Sequence, residues 1–134
     1  PADTAIVTGP SGAGKTFISK FVTERLREEV LDIKTIYVNC RRNYTRFRTL
    51  YQILDDLGQT IDIHRQSTPH DELVDRMRQY DGPRTVIILA EVDQLEDPGN
   101  LYDLHSLEQF ALVCIANKEE ELFSRVDDRV VYSV

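Results

Sequence analysis

An α/β fold layered around a parallel sheet is what this sequence predicts, and three observations carry that reading. Strand-like apolar runs alternate with helix-period segments along the chain, the pattern of strand–helix–strand crossovers. The run Thr85-Val86-Ile87-Ile88-Leu89-Ala90 is apolar toward both faces, as in a central strand covered on both sides. Between a strand-like run and a helix-period segment stands Gly9-Pro10-Ser11-Gly12-Ala13-Gly14-Lys15-Thr16, which meets the phosphate-binding loop pattern G-x-x-x-x-G-K-[ST] at every fixed position. Together they predict three layers, α/β/α, around a parallel five-stranded sheet. The 134 residues suit one domain with one core.

The elements follow in order. Thr4 to Thr8 reads as the first strand. A helix from about Lys15 to Glu29 places Ile18, Phe21, Val22 and Leu26 on one face. Thr35 to Asn39 is the second strand. A second helix, from Arg41 to Leu57, turns Phe47, Leu50, Tyr51 and Leu54 inward and ends at Gly58, a C-cap. Thr68-Pro69-His70-Asp71 reads as N-cap, proline at the first helical position and an acid at the third. That third helix carries Leu73, Met77 and Tyr80 inward and stops at Asp81-Gly82-Pro83. After the strand Thr85 to Ala90, a turn at Asp97-Pro98-Gly99-Asn100 leads to a short helix around Leu101 to Leu107. Ala111 to Ala116 is another buried strand, Glu119 to Arg125 is helical, and Val130-Val131-Tyr132 is the last strand.

Composition narrows the function classes. The chain is 41% apolar, an ordinary globular value, and no apolar run approaches the roughly 20 residues that span a bilayer. No leader is visible, and the first residue is Pro1, as in an excised fragment. Cys40 and Cys114, each at the end of an apolar run, read as buried free thiols in a reducing cytoplasm. His64, His70 and His105 lack metal-ligand spacing and read as surface residues. The net charge of −7 argues against a surface that binds nucleic acid all over. Its distribution is uneven: Ile33 to Leu54 holds no acid but carries Lys34, Arg41, Arg42, Arg46 and Arg48. Lysine occurs only at Lys15, Lys20, Lys34 and Lys118, and an acidic, lysine-poor surface suggests adaptation to high salt, as in a halophile.

The glycine-rich loop predicts a triphosphate site. Glycines let the backbone curl so that successive N–H groups point at one anion, and the following helix adds its positive end. Lys15 would neutralise the β- and γ-phosphates, and Thr16 would offer its hydroxyl to Mg²⁺. Hydrolysis needs more: an acid that holds the metal shell and a group that orients water, usually at the end of a buried strand as h-h-h-h-D-E. Here the strand ends Leu89-Ala90-Glu91-Val92-Asp93, so Glu91 takes the water-activating place and Ala90 stands where the metal-holding aspartate belongs. Asp93 either substitutes for it, since i and i+2 share a face of an extended chain, or merely marks a solvated strand end. Asn117, directly after the next strand, reads as a γ-phosphate or water contact, or as a turn-forming residue. Arg125 and Arg129 reach a phosphate, in cis or on a neighbouring subunit, or pair with Asp127 and Asp128. The arginines of the second helix read as backbone-phosphate contacts with Tyr44 and Phe47 as stacking or wedge groups, or as a solvated face.

Several stretches together resemble the AAA+ ATPases of the archaeal origin-recognition and replication-initiator family. They are Gly9 to Thr16, Tyr37-Val38-Asn39-Cys40-Arg41-Arg42-Asn43-Tyr44-Thr45-Arg46, Ile87 to Leu95, and Ala116-Asn117 with Leu122 to Val130. The second stretch resembles the initiator-specific helical insert that touches origin DNA in that family. The resemblance implies binding of ATP or ADP with Mg²⁺, slow hydrolysis as a switch, and a role in replication initiation. It casts Gly9 to Thr16 as Walker A, Glu91 as the Walker B glutamate, Asn117 as sensor one and Arg129 in the arginine-finger region, with duplex origin DNA and other initiator subunits or further copies as partners. By the same resemblance residues 1–134 are the nucleotide-binding core, without the lid and winged-helix domains. The pattern departs from the family at Ala90 and after Arg129, where the second arginine of R-x-x-S-R is absent. A module that senses nucleotide without turnover, or another P-loop enzyme such as a small kinase, is the alternative.

Overall fold

The computed structural model describes residues 4–8, 14, 17, 20–21, 23–25, 28, 33–60, 63, 68–97, 99–116 and 129–133. Five strands, β1 (Thr4–Thr8), β2 (Lys34–Asn39), β3 (Thr85–Ala90), β4 (Phe110–Ala116) and β5 (Arg129–Ser133), form one sheet in the order β2-β3-β4-β1-β5. Every pairing is parallel. Parallel neighbours need crossovers. Three described helices, α1 (Arg46–Asp56), α2 (His70–Gln79) and α3 (Gly99–His105), lie in the connections between the strands.

The side-chain period of two divides the sheet into two covered faces. Ile36, Val38, Ile87, Leu89, Leu112 and Cys114 meet Leu50, Ile53 and Leu54 of α1, Leu73 and Met77 of α2, and Leu101 and Leu104 of α3 in the larger core. Val7, Val86, Ile88, Val113 and Ile115 form a second core on the other face. All six residues of β3 are buried, as its continuous apolarity predicts. Between β1 and β2, residues Phe17, Lys20, Phe21, Thr23, Glu24, Arg25 and Glu28 are helical. Thr23 is buried there, whereas Phe21 is 57% exposed, so the inward face expected for Phe21 is corrected. Ile18, Val22 and Leu26 lie outside the described residues.

Local chemistry sets the helix ends. The second helix begins at Arg46, five residues later than the sequence reading: Thr45 is extended and its Oγ1 accepts the Arg48 N–H at 3.1 Å. Arg41 and Arg42 therefore sit in a turn after β2, where Asn39 Oδ1 accepts the Arg41 N–H at 2.8 Å. At the other end Gly58 takes φ +73°, its N–H reaches Asp55 O at 3.0 Å, and the Gln59 N–H reaches Leu54 O at 2.9 Å, a Schellman closure. Helix α2 starts one residue later than expected, with Pro69 in the cap position. It buries Leu73, Val74 and Met77, and Gln109 Nε2 donates to the Met77 and Arg78 carbonyls at 3.1 and 2.9 Å. Tyr80 caps α2 and stacks on Phe110 with centroids 5.9 Å apart. A Cβ on Gly82 would collide with the Tyr80 hydroxyl and ring, so any larger residue there makes that ring shift.

Both cysteines are free and buried, as expected. The histidines are corrected. His70 is half-buried with Nε2 2.7 Å from Asp103 Oδ2, and His105 is half-buried with Nδ1 2.7 Å from Thr4 Oγ1. Each lies where two elements meet, so burial and a fixed partner follow from packing that spacing alone does not reveal. His64 lies outside the described residues, as do 119–125. Among the described residues no helix is long and apolar enough to cross a membrane, and no group of three or more side chains could hold a metal ion.

Candidate functional site

Sheet order determines where the chemistry gathers. Register sets Thr8 opposite Ala116 and Leu89 opposite Cys114. The carboxyl ends of β1, β3 and β4 therefore lie side by side. The glycine-rich loop leaves the first, Glu91 the second and Asn117 the third. In open parallel sheets that rim is where ligands are held. Gly14 lies in the left-handed region at φ +88°, with no atom within 4 Å of where a Cβ would stand. A curled main chain with an open inner side is what an anion cradle needs. Gly9 to Ala13, Lys15, Thr16 and Asn117 lie outside the described residues.

Glu91 ends β3 in an unusual way. It is the one non-glycine described with positive φ (φ 56°, ψ 47°), and Val92–Gln94 follows as a 3-10 turn. The extended geometry assumed for Glu91 and Asp93 is thus corrected: the chain coils at the strand end, so the two do not share a face by alternation. Glu91 is half-exposed and pairs with Arg41 Nη1 at 3.8 Å. Asp93 Oδ1 is buried without a hydrogen-bond partner, and Gln94 Nε2 donates to Oδ2 at 3.3 Å. Ala90 packs in the Val86 and Ile88 core. A group replacing the missing aspartate belongs on the Ala90 side.

Arg129 opens β5 beside Thr4, at the end of β1 remote from Thr8. Four strand steps, about 13 Å, separate it from the phosphate rim. The backbone of Arg129 thus starts at the end of the sheet opposite the rim. Action on a neighbouring subunit remains compatible with the placement.

The basic segment is folded back on the chain that follows Glu91. Arg46 Nε meets Asp97 Oδ2 at 3.1 Å, the Glu96 N–H donates to Tyr44 O at 2.8 Å, and Asn100 Nδ2 donates to Arg46 O at 3.2 Å. Arg48 donates to Asn43 Oδ1 at 3.4 Å and lies 5.9 Å from the Tyr51 ring centroid. Phe47, expected as a stacking or wedge group, stacks instead on Tyr51 against the core. Arg41, Arg42 and Tyr44 are exposed.

Two features escaped the sequence reading. A cleft of about 500 Å³ opens between the helical residues Lys20, Thr23 and Glu24 and the sheet residues Thr35, Tyr37 and Ile88. Burial, helped by the Glu91 charge and Cys40, raises the Tyr37 phenol above its ordinary value. Strand alternation could have found Tyr37, which faces away from Ile36 and Val38. No sequence signal announces the Glu96 and Asp97 contacts, which join residues about 50 positions apart.

A family model for the AAA domain matches residues 2–124. In sequence the chain is similar to ORC1-type DNA replication protein 9 of Halobacterium salinarum, 82% identical over 131 residues, covering 98% of this chain and 37% of that protein. It is also similar to ORC1-type DNA replication protein 1 of the same organism, 50% identical over 129 residues, covering 96% of this chain and 42% of that protein. In structure it resembles Cdc6p from Pyrobaculum aerophilum with a TM-score of 0.73 at 18% identity, covering 96% of this chain and 38% of that one, a likeness of fold alone. The Aeropyrum pernix ORC1 protein, solved in complex with DNA, matches with a TM-score of 0.68 at 28% identity, over 96% of this chain and 39% of that one. The chain spans about two-fifths of the length of the curated relatives it matches.

Proposed function

Because the chain belongs to the AAA domain family and, within it, to the archaeal ORC1-type DNA replication proteins, we propose that it is the nucleotide-binding module of a replication initiator. It binds ATP or ADP with Mg²⁺, hydrolyses slowly if at all, and uses the bound nucleotide as a switch for origin DNA. The observation that carries this reading is the convergence of three strand ends, at Thr8, Ala90 and Ala116, on one rim that opens with the Gly14 curl.

In this reading the backbone of Gly9, Pro10, Ser11, Gly12, Ala13 and Gly14 would bind the phosphates, Lys15 would neutralise them and Thr16 would offer its hydroxyl to the metal. Mg²⁺, when bound, would supply charge neutralisation to the phosphates. Glu91 orients water, Asn117 senses the terminal phosphate, and Arg129 serves a neighbouring subunit. Gly14, in the left-handed region with open space where a Cβ would stand, is compatible with such a ligand. The metal half lacks an acid, because Ala90 is 4% exposed within an apolar core. The segment bearing Arg41, Arg42, Arg46 and Arg48 meets duplex DNA, and further copies or other initiator subunits complete the assembly. The setting is a cytoplasm of high salt.

Calorimetry with ATP and Mg²⁺ tests the reading. Lys15→Ala should weaken binding about ten- to a hundredfold, the worth of a charge-assisted hydrogen bond. Binding unchanged by that substitution would overturn it. A second reading, nucleotide sensing without turnover, is favoured by Ala90 and by the Arg41–Glu91 ion pair. Residual hydrolysis abolished by Glu91→Gln would speak for the enzyme, and none to abolish would speak for the sensor.

A further inference from the structure

We propose that Arg46 is a positioning residue and not a phosphate contact, and that Arg41, Arg42 and Tyr44 form the surface that meets the duplex backbone. The inference rests on the reading that this segment binds DNA, and refines which of its side chains do so.

Arg46 is tied at three places to one short stretch. Its guanidinium Nε lies 3.1 Å from Asp97 Oδ2, its N–H donates to Glu96 Oε2 at 3.4 Å, and its carbonyl accepts from Asn100 Nδ2 at 3.2 Å. The Glu96 N–H closes the arrangement on Tyr44 O at 2.8 Å. One exposed ion pair holds little by itself. Here the same residue is fixed through amide, carbonyl and side chain, and Asn100, which receives the carbonyl, is 1% exposed. A phosphate approaching Arg46 has to displace Asp97 and face Glu96, two acids already in place. Arg46 keeps 48% of its side chain exposed, so it is these ties rather than burial that hold it, and Arg48 is half-buried beside Asn43 and Tyr51.

The other side of the turn is open. The Arg41 side chain is 75% exposed, and its partner Glu91 is 3.8 Å away, beyond hydrogen-bond distance. Among the described residues Arg42 meets no acid within ion-pair distance. Tyr44 is 51% exposed between them and the clamp. Guanidinium groups on a short turn beside an exposed ring suit a backbone track, where contacts position without reading sequence. The Asp97–Arg46 clamp holds that turn in shape.

Binding of a labelled DNA duplex, followed by anisotropy across a salt series, separates the roles. Arg42→Gln should weaken binding roughly threefold to tenfold and lower the slope of log affinity against log salt by about 1, the signature of one lost phosphate contact. Arg46→Gln and Asp97→Asn should each weaken binding by a similar factor with the slope unchanged, and the double variant should be no worse than either. Asp56→Asn, which removes an equal charge at the far end of α1, serves as the electrostatic reference. The opposite pattern overturns the proposal: Asp97→Asn tightening binding beyond Asp56→Asn, with Arg46→Gln lowering the slope, makes Arg46 a ligand that Asp97 competes for. Asp97→Asn leaves Arg46 in place, so the test stands even where Arg46→Gln does not fold. Absence of salt-dependent binding in the unaltered chain would instead sink the DNA reading itself.

Discussion

A buried thiol gives up its proton only at the cost of placing a charge away from water. Cys114 lies wholly inside β4, and burial pushes its pKa up to about 12. Unfolded, the same group ionises nearer its ordinary value. Its contribution to stability is therefore complete below that value and is lost as pH rises toward about 12. Denaturant melts should show a falling midpoint over that alkaline window, and a smaller fall in Cys114→Ala; identical slopes in both would contradict the assignment. Gly82 makes a second single-residue demand. An added methyl meets the Tyr80 ring, which is itself stacked on Phe110, so Gly82→Ala should cost about 1–3 kcal/mol in equilibrium unfolding. At the rim, Ala90 is the telling substitution. Ala90→Asp should raise turnover at least about tenfold if the remaining parts are in place, because charge stabilisation at a metal is worth several kcal/mol. Much of this was legible in the sequence: glycines where the backbone must curl, Glu91 at a strand end, two free thiols. The coil at Glu91 and the remoteness of Arg129 were not, since both depend on how a strand ends or aligns, which side-chain pattern does not encode.

Helix α1 shows where element-level signals compete. Spacing correctly turns Leu50 and Leu54 inward and half-buries Phe47 and Tyr51, and it passes over Ile53, which is fully buried. The start was misplaced because local hydrogen bonding overrides helical propensity. Asn39 captures the Arg41 amide and Thr45 captures that of Arg48, so the intervening residues turn before they coil. Thr45→Ala should lower stability by about 1 kcal/mol, as loss of an N-cap does, whereas Thr45→Asp should retain it. Gly58→Ala should cost about 1 kcal/mol for forcing a Cβ into the left-handed region. Thermal melts of the three variants check both ends of the same helix.

At the scale of the whole molecule, the alternation of elements made the layers and the parallel sheet legible. Strand order was not, because pairings such as Thr4 with Leu112 rest on contacts more than a hundred residues apart. Two kinds of neighbour result. β2 and β3 are consecutive strands that lie side by side, while β1 sits between β4 and β5. Non-local pairing is slow to form. Pulse-labelled hydrogen exchange during refolding should protect the amides of β2 and β3 before those of β1, and simultaneous protection would contradict this.

The same arrangement has a consequence for synthesis. Strand β1 meets its described neighbours only after residues 110–116 have been made on one flank and residues 129–133 on the other. The segment that launches the glycine loop must wait, apolar, while about a hundred further residues are translated. A ribosome stalled before Phe110 would hold a nascent polypeptide whose β1 still lacks both β4 and β5 and is free to mispair with a passing edge.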